Sequence, residues 1–439
     1  MAVTDAAPDG ASDGRHEGLL DELGWRGILH AVTPGLAERL EDGRPIAGYN
    51  GFDPSADSLH VGHLIPIFGL LRLQRHGGRP IAVVGGGTGM IGDPSGRSAE
   101  RNLLDRATLE GNVVALRAQL ERFLDFDPGG AGALMVNNLD WLGDLSLIDF
   151  LRDTGKHFTV PYMLAKDSVQ VRLERGLSFT EFSYMLLQAY DFWHLHRSMG
   201  VELQMGGADQ WGNITAGLEL IRRSGGLGDD AHPAHGLAYK LLLSPSGTKF
   251  GKSETGESVW LDPARTTPFA FYQYWRNADD RDVSTYLRWF TELSRAEIEG
   301  LDTETADRPE ARSAQRALAR DITARTHGEA AADAAIRDSE ALFSAEPIDD
   351  PEVLASLHVA TGGFDVGRRA LAGGIIGILV EGGLFASNGE ARRMIAGGGV
   401  TVNGRRIIDP ATVVEPLAGE WLEVRIGKRR REIGRLSRD

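Results

Sequence analysis

The chain has no cysteine among its 439 residues. That excludes disulfides, a thiolate nucleophile and any cysteine-ligated zinc or iron–sulfur centre. Lysine is scarce, six of 47 basic residues, so each lysine is worth locating. No stretch approaches about 18 uninterrupted apolar residues, and no transmembrane span is expected. The N-terminal segment is acidic and rich in glycine and alanine. It lacks a basic start followed by an apolar core, so no secretory leader is expected and residues 1–17 read as a disordered tail. These features together fit a cytoplasmic protein. Positive charge is also in deficit, with a net charge of −15. A uniformly acidic protein would repel nucleic acid. The charge is not uniform, however: residues 370–439 hold 11 basic and 8 acidic side chains, net +3, leaving −18 for the rest. A basic module on an acidic body remains compatible with RNA.

What is present is an ordinary globular balance, 42% hydrophobic and 25% charged. The length is about three times the rough 150-residue prior for a domain. Residues 80–84 form a β-rich run ending in glycines, preceded by an apolar helical stretch over 64–76. Residues 202–205 repeat the strand-then-glycine pattern. Strands that end in glycines and feed helices predict a parallel α/β sheet with ligands at the strand C-terminal ends. From about 267 to 343 the pattern turns helical. Residues 345–372, with Pro347, Pro351 and several glycines, read as a linker. In the last segment Ser387 and Glu390 are spaced as a capping box, and Asn403-Gly404 between two short β-rich runs predicts a hairpin.

Four segments carry chemistry. Gly87-Thr88-Gly89-Met90-Ile91-Gly92 matches a dinucleotide fingerprint, but Pro94 and Gly96 follow at once and break the helix that fingerprint needs. A tight turn is the better reading. His60-Val61-Gly62-His63 stands where an apolar helix begins, so two imidazoles share one face of a first helical turn. Free N–H groups there suit phosphate. Lys249-Phe250-Gly251-Lys252-Ser253 concentrates two of the six lysines in a glycine-flanked loop. Such mobile ammonium groups can follow a departing phosphate. Along 181–193, Phe182, Met185, Leu186, Ala189 and Trp193 form an apolar stripe, and Tyr184, Gln188 and Asp191 a short polar one that resembles a pocket wall.

Taken together these residues resemble one family. Residues 49–54 with His60-Val61-Gly62-His63 are similar to the HIGH region of class I aminoacyl-tRNA synthetases, and residues 249–253 to their KMSKS loop. The stretches 85–97, 178–192 and 206–214 narrow the likeness to tyrosyl-tRNA synthetases of bacterial type, and the last 67 residues resemble the small RNA-binding domain of the S-four kind. The implied architecture is α/β: a Rossmann-like parallel-sheet nucleotide-binding domain, followed by a helical domain and a small α+β RNA-binding domain. The expected limits are a catalytic domain over 18–240, a signature-loop connection over 241–265, a helical domain over 266–344, a linker over 345–372 and the RNA-binding domain over 373–439. The implied reaction joins tyrosine and ATP into tyrosyl-adenylate and then charges tRNA(Tyr). ATP would be a substrate accompanied by Mg²⁺, with no metal ligated by the protein, and the family is homodimeric with no membrane attachment.

The resemblance also implies residue roles. His60 and His63 would contact ATP, Lys249 and Lys252 would close on pyrophosphate, and Ser55 would add a hydroxyl there. Gly51, Asp53, Gly62, Gly207, Asp209 and Ser253 complete the ATP set. Tyr49 and Asp191 would bind the substrate phenol, and Asp93, Tyr184 and Gln188 its ammonium group. Gln210 would lie at the ribose and carboxylate. Arg97 and Arg101 would assist pyrophosphate departure and tRNA binding. Arg392, Arg393, Arg405 and Arg406 would contact tRNA, and the basic run 428–431 reads as a further RNA contact or as the solvated end of an edge strand. Asn50 stands where many relatives have cysteine beside the ribose. A tryptophanyl enzyme, a nucleotidylyltransferase without tRNA and a silent RNA-binding protein are the alternatives. Tyr49 with Asp191, the basic C-terminal module and the intact histidine and lysine pairs oppose them in turn.

Overall fold

A computed structural model describes residues 18–93, 105–129, 131–166, 169–170, 173, 176–224, 233–242, 257–427 and 430–437. The expected tail over 1–17, Arg97, Arg101, Lys249, Lys252, Ser253, Lys428 and Arg429 lie outside these residues. Strands are labelled in chain order, as are helices of eight or more residues. The chain divides into two compact units. The first runs to Asp262 and resumes over Asp279–Ala314; the second comprises Pro263–Ala278 and the chain from Gln315 onward.

The first unit is built on a six-stranded sheet. Its strands are β1 (Leu29–Val32), β2 (Ala47–Phe52), β3 (Arg79–Val84), β4 (Leu134–Asn137), β5 (Leu203–Gly207) and β6 (His235–Tyr239). Their order is β1-β6-β5-β2-β3-β4. All neighbours are parallel except the edge pair β1 and β6. Helix α1 (Leu64–Arg75) links β2 to β3, α2 (Arg106–Leu120) lies between β3 and β4, and α3 (Phe179–Met199) leads into β5. Helix α4 (Trp211–Arg223) links β5 to β6. From β2 the chain winds outward through β3 and β4, then returns to the other side of β2 for β5 and β6. The strand order therefore reverses beside β2, and an open crevice at the C-terminal ends of β2 and β5 follows from that topology. Helix α3 shows why its sequence folds as it does. Ser178 and Glu181 form a reciprocal cap at its start, and Gly200 takes a left-handed φ of 66° at its end. Phe192 and Leu195 on its inner face join Tyr49, Ile81 and Val83 in a core cluster.

Helices α5 (Pro268–Arg276), α6 (Val283–Phe290), α7 (Arg295–Asp307), α8 (Ser313–His327) and α9 (Glu329–Phe343) bear out the helical pattern. The units cut across the expected domain limits, because α6 and α7 belong with the sheet. The reason is electrostatic. Arg26 and Arg72 donate to the carbonyls of Arg288, Trp289, Thr291 and Leu293 at the C-terminal end of α6, and Glu22 lies 3.7 Å from Arg72. The negative pole of a helix end is thereby neutralised by two buried guanidiniums.

The second unit corrects the linker expectation. Residues 345–372 contain α10 (Pro351–Thr361) and β7 (Phe364–Gly367). Proline sits at the first turn of α10, where it lacks no needed hydrogen bond, and the glycine at 362 caps its end with a φ of 66°. Prolines and glycines here punctuate elements rather than loosen the chain. Strand β7 is the edge of a five-stranded sheet ordered β7-β11-β10-β8-β9, with β8 (Val400–Val402), β9 (Arg405–Ile407), β10 (Trp421–Ile426) and β11 (Arg430–Ser437). The hairpin between β8 and β9 turns at Asn403 and Gly404, with φ of 48° and 75°. Helices α11 (Gly374–Glu381) and α12 (Asn388–Ala396) complete the unit. Ser387 caps α12 by accepting from Glu390 N–H. The Glu390 carboxylate takes the N–H of Ala386 rather than that of Ser387, so the reciprocal half of the expected box is displaced by one residue.

Candidate active site

The crevice at the switch point of the first sheet holds a cleft of about 280 Å³. Tyr49, Gly51 and Asp53 come from β2 and the loop after it, Gly207, Asp209 and Gln210 from the end of β5, and Tyr184, Gln188 and Asp191 from α3. Ser55, His60, His63 and Asp93 line it too. The structure thus brings together almost every described residue of the expected tyrosine and ATP sets. Gly62 does not line the cleft; its N–H donates to His60 Nδ1 at 3.0 Å. Arg392, Arg393, Arg405 and Arg406 lie in the second unit, on α12 and β9.

At one end stand the two imidazoles, their ring centres 4.1 Å apart. His60 Nδ1 accepts from the Gly62 N–H, and His63 Nδ1 accepts from the His60 N–H at 3.1 Å. Both Nδ1 atoms are acceptors, so each ring carries its proton on Nε2 as a donor. Val61 N–H donates to Val259 O and Leu261 N–H to Leu59 O, which pairs His60 with Trp260. The chain leaving the signature loop is therefore stitched to the residues flanking His60.

Asp191 lies in the opposite wall of the cleft, 3% exposed. Its Oδ1 accepts from Trp141 Nε1 at 2.7 Å and its Oδ2 from Asn138 Nδ2 at 2.9 Å. Burial pushes its pKa up to about 7, against the pull of these two hydrogen bonds. The Tyr49 hydroxyl is fully buried and has no hydrogen-bond partner among the described residues. Its pKa is raised, by burial first and by the charge of Asp191 second. A carboxylate kept close to neutral pH beside an unpartnered phenol is a costly arrangement unless a polar ligand completes it. A third polar group, Gln204, lines the same cleft with its Oε1 buried and unpartnered.

Between these ends runs an amide network. Gln210 Nε2 donates to Asp93 Oδ2 at 2.8 Å, Gln188 Nε2 donates to Gln210 Oε1 at 3.2 Å, and Asn213 Nδ2 donates to both glutamine carbonyls at 3.0 Å. The amide donors of Gln188, Gln210 and Asn213 are each directed at a neighbouring acceptor, so one network joins Asp93 to α3 and α4. Asn138 was not foreseen. Its Oδ1 accepts from Gly87 and Thr88 N–H, and its Nδ2 also donates to Thr88 Oγ1. The glycine turn after β3 therefore spends N–H groups on Asn138 instead of a phosphate. Trp141, Asn213 and Trp260 were missed as well; an isolated Asn or Trp has no spacing that marks it. Asn50 lines the cleft. Its amide donates to Pro66 O at 3.1 Å and bonds Tyr239, tying β2 to α1 and β6. Among the described residues no group of three or more His, Asp or Glu could hold a metal ion, and no helix is long and apolar enough to cross a membrane.

Known proteins built this way are class I aminoacyl-tRNA synthetases. The family model for tRNA synthetases class I (W and Y) matches residues 41–344, more than half of the chain, and the chain belongs to that family. A second model, for the tyrosine–tRNA ligase SYY-like C-terminal domain, matches residues 366–431. The chain is 50% identical to the tyrosine–tRNA ligase of Roseiflexus castenholzii over 431 residues, covering 95% of this chain and 99% of that one. It is 52% identical to that of Anaeromyxobacter dehalogenans over 422 residues, covering 94% and 98%. Among solved structures it resembles a C-terminally truncated mitochondrial tyrosyl-tRNA synthetase from Aspergillus nidulans, with a TM-score of 0.66 and 31% identity over 75% of this chain and 95% of that one.

Proposed function

We infer that the chain is a tyrosine–tRNA ligase, which activates L-tyrosine with ATP and transfers the tyrosyl group to the 3′ end of tRNA(Tyr). The observation that carries the choice of amino acid is the unpartnered Tyr49 hydroxyl beside the buried Asp191 carboxylate. A substrate phenol donates to Asp191 and accepts from Tyr49, which satisfies both groups. Phenylalanine leaves the Tyr49 hydroxyl unpaired and gives Asp191 no donor beyond Asn138 and Trp141, and a site of this kind rejects it without editing.

In the first step a tyrosine carboxylate oxygen attacks the α-phosphorus of ATP. The bond to the bridging oxygen breaks and pyrophosphate leaves with the electron pair. In the second, a terminal ribose hydroxyl attacks the acyl carbon, loses its proton, and AMP departs. The nucleophile of the first step is already ionised, so positioning and charge stabilisation are what the protein supplies. His60 and His63 donate from Nε2 to ATP. Lys249 and Lys252 close on the pyrophosphate with Ser253 and Ser55; the pairing of Leu59–Leu261 and Val61–Val259 supports this by anchoring the end of their loop beside His60. Gly51, Asp53, Gly207 and Asp209 line the nucleoside side. Asp93, Tyr184 and Gln188 hold the ammonium group, with Gln210 at the carboxylate end. Mg²⁺ would enter bound to ATP and would neutralise charge on its phosphates.

Arg392, Arg393, Arg405 and Arg406 contact tRNA through the second unit. The enzyme works in the cytoplasm as a homodimer; the solvent-exposed Leu147, Ile148, Val160 and Phe179 in the first unit support a buried self-contact. Tyrosine-dependent exchange of pyrophosphate into ATP, without tRNA, tests the activation step. Exchange with tyrosine and not with phenylalanine or tryptophan is the expected result; exchange with tryptophan overturns the phenol assignment, and none with any amino acid overturns the ligase reading.

A further inference from the structure

The five-stranded sheet of the second unit has two covered faces. Helices α11 and α12 pack on one through Ile375, Leu379, Ala391 and Ile395. On the other, Trp421 and Ile433 pack with Phe269 of α5, Ile348, and Leu354 and Leu357 of α10. That second core continues into a polar clamp. Arg431 of β11, only 7% exposed at its side chain, donates through Nη1 to the carbonyls of Ala341, Leu342 and Ser344, and through Nη2 to Glu346 O at 2.7 Å. Arg425 of β10 donates to the carbonyls of Ala345 and Glu346. These carbonyls belong to the last turn of α9 and the chain just past it, where a helix leaves its acceptors unpaired. Between the two guanidiniums lies Glu423, whose side chain is fully buried. It pairs with both arginines and accepts the Ile348 N–H at 3.3 Å.

The same strand position reaches the hairpin that carries Arg405 and Arg406. Glu423 and Asn403 exchange hydrogen bonds, the Asn403 N–H to Glu423 O and the Glu423 N–H to Asn403 Oδ1, both at 2.9 Å. At the tip, Gly404 rests on Pro347 so closely that a Cβ there would meet Pro347 Cβ at 3.1 Å. The turn of the hairpin is thus referred to residues 341–348 twice, through Glu423 and directly by Pro347.

We propose that Arg425 and Arg431, with Glu423, are positioning residues for tRNA: they fix the hairpin face bearing Arg405 and Arg406 against the end of α9, and do not themselves bind RNA. Arg431 was among the basic residues expected to touch RNA, yet its Nη1 and Nη2 are spent on carbonyls and on Glu423, and its Nε is buried. This rests on the tRNA-ligase reading, which charging by the unaltered chain tests separately in the same assay.

The absence of cysteine supplies the decisive experiment, because a disulfide can replace the clamp. Arg431→Met is expected to lower kcat/KM for tRNA(Tyr) by about tenfold to a hundredfold, the scale of a misplaced binding element. Tyrosine-dependent pyrophosphate exchange should stay unchanged. Arg425→Met, at a more exposed side chain, should show a smaller loss of the same kind and serves if the first variant does not fold. In the pair Pro347→Cys and Gly404→Cys the Cβ atoms stand 3.1 Å apart, just inside the roughly 3.5–4.5 Å a disulfide spans, so the turn, with Gly404 at a φ of 75°, must open by a few tenths of an ångström to accept it. In the otherwise unaltered chain its oxidised form should charge tRNA normally. Added to either variant, it should restore charging when oxidised and not when reduced. Unchanged charging in the methionine variants overturns the proposal. So does a loss that the disulfide fails to restore, which would make the arginines RNA contacts.

Discussion

Replacing Asp191 by asparagine separates what the phenol site does for substrate from what it does to the fold. The folded-state pKa of Asp191 is about 7 against an ordinary 3.8, a rise caused by burial. The unfolded chain gives up this proton more readily than the folded one. The group therefore costs nothing below about pH 4, and the cost accrues as pH rises to 7 and is constant above. Three units correspond to about 4 kcal/mol at pH 8 and about 2 kcal/mol at pH 5. Asparagine escapes this cost but cannot accept from both Asn138 Nδ2 and Trp141 Nε1, and one orphaned donor costs about 1–3 kcal/mol. Asp191→Asn should therefore be more stable than the natural chain by about 1–3 kcal/mol at pH 8, with that advantage shrinking by about 2 kcal/mol at pH 5. Urea unfolding followed by tryptophan fluorescence at several pH values measures it. Activity should move the opposite way. Losing a charged acceptor for the phenol costs about tenfold to a hundredfold in kcat/KM for tyrosine, with ATP binding little changed. A stability difference that does not vary with pH refutes the raised pKa, and equal losses for tyrosine and ATP remove Asp191 from the phenol site.

Two further outcomes follow from the same geometry. Asn138→Ala should weaken tyrosine use and cost about 2 kcal/mol of stability or more, because it strands the Gly87 and Thr88 N–H groups and loosens Asp191; tyrosine kinetics identical to the natural chain would show that Asn138 does not orient the carboxylate. Burial alone would raise the Glu22 pKa, but hydrogen bonds from His76 and Arg26 and the charges of Arg26 and Arg72 hold it down to about 2. Its stabilising effect is present above about pH 4.5 and lost as pH falls toward 2, so Glu22→Gln should lower the melting temperature at pH 7 and flatten the acid limb; parallel acid limbs would refute the pairing.

Much of the site was legible in the linear chain because class I chemistry concentrates its groups in short segments. His60 and His63 share one helical turn, Tyr184, Gln188 and Asp191 share one helix face, and Tyr49 to Ser55 share one strand end. Periodicity and glycine punctuation predict those local geometries, since each depends on neighbours within a few residues. The hairpin at Asn403-Gly404 and the helices over 268–343 are of the same kind. The polar groups that tune the site were not legible. Asn138 meets Asp191 across 53 positions, and Gln210 meets Asp93 across 117. Nothing about an isolated amide says which buried carboxylate it will face.

Two readings failed for reasons of packing. The proline- and glycine-containing stretch over 345–372 suggested a linker, but its apolar positions Ile348, Leu354 and Leu357 had a sheet face to cover, and burial made it part of the unit. Arg431 sat in a basic run that suggested RNA, yet the fold set it against the open carbonyls of a helix end, where a planar guanidinium finds several acceptors at once. The sequence alone determined the parallel α/β pattern, two histidines at a helix start, two lysines in a glycine-flanked loop, and the likeness to one synthetase family. Tertiary structure alone decided where the strand order reverses to open the cleft, the burial that raises the Asp191 pKa to about 7 against the hydrogen bonds of Asn138 and Trp141, and which arginines are bound within the protein. Local pattern fixes what each segment is; the electrostatics of burial depend on what distant segments bring to it.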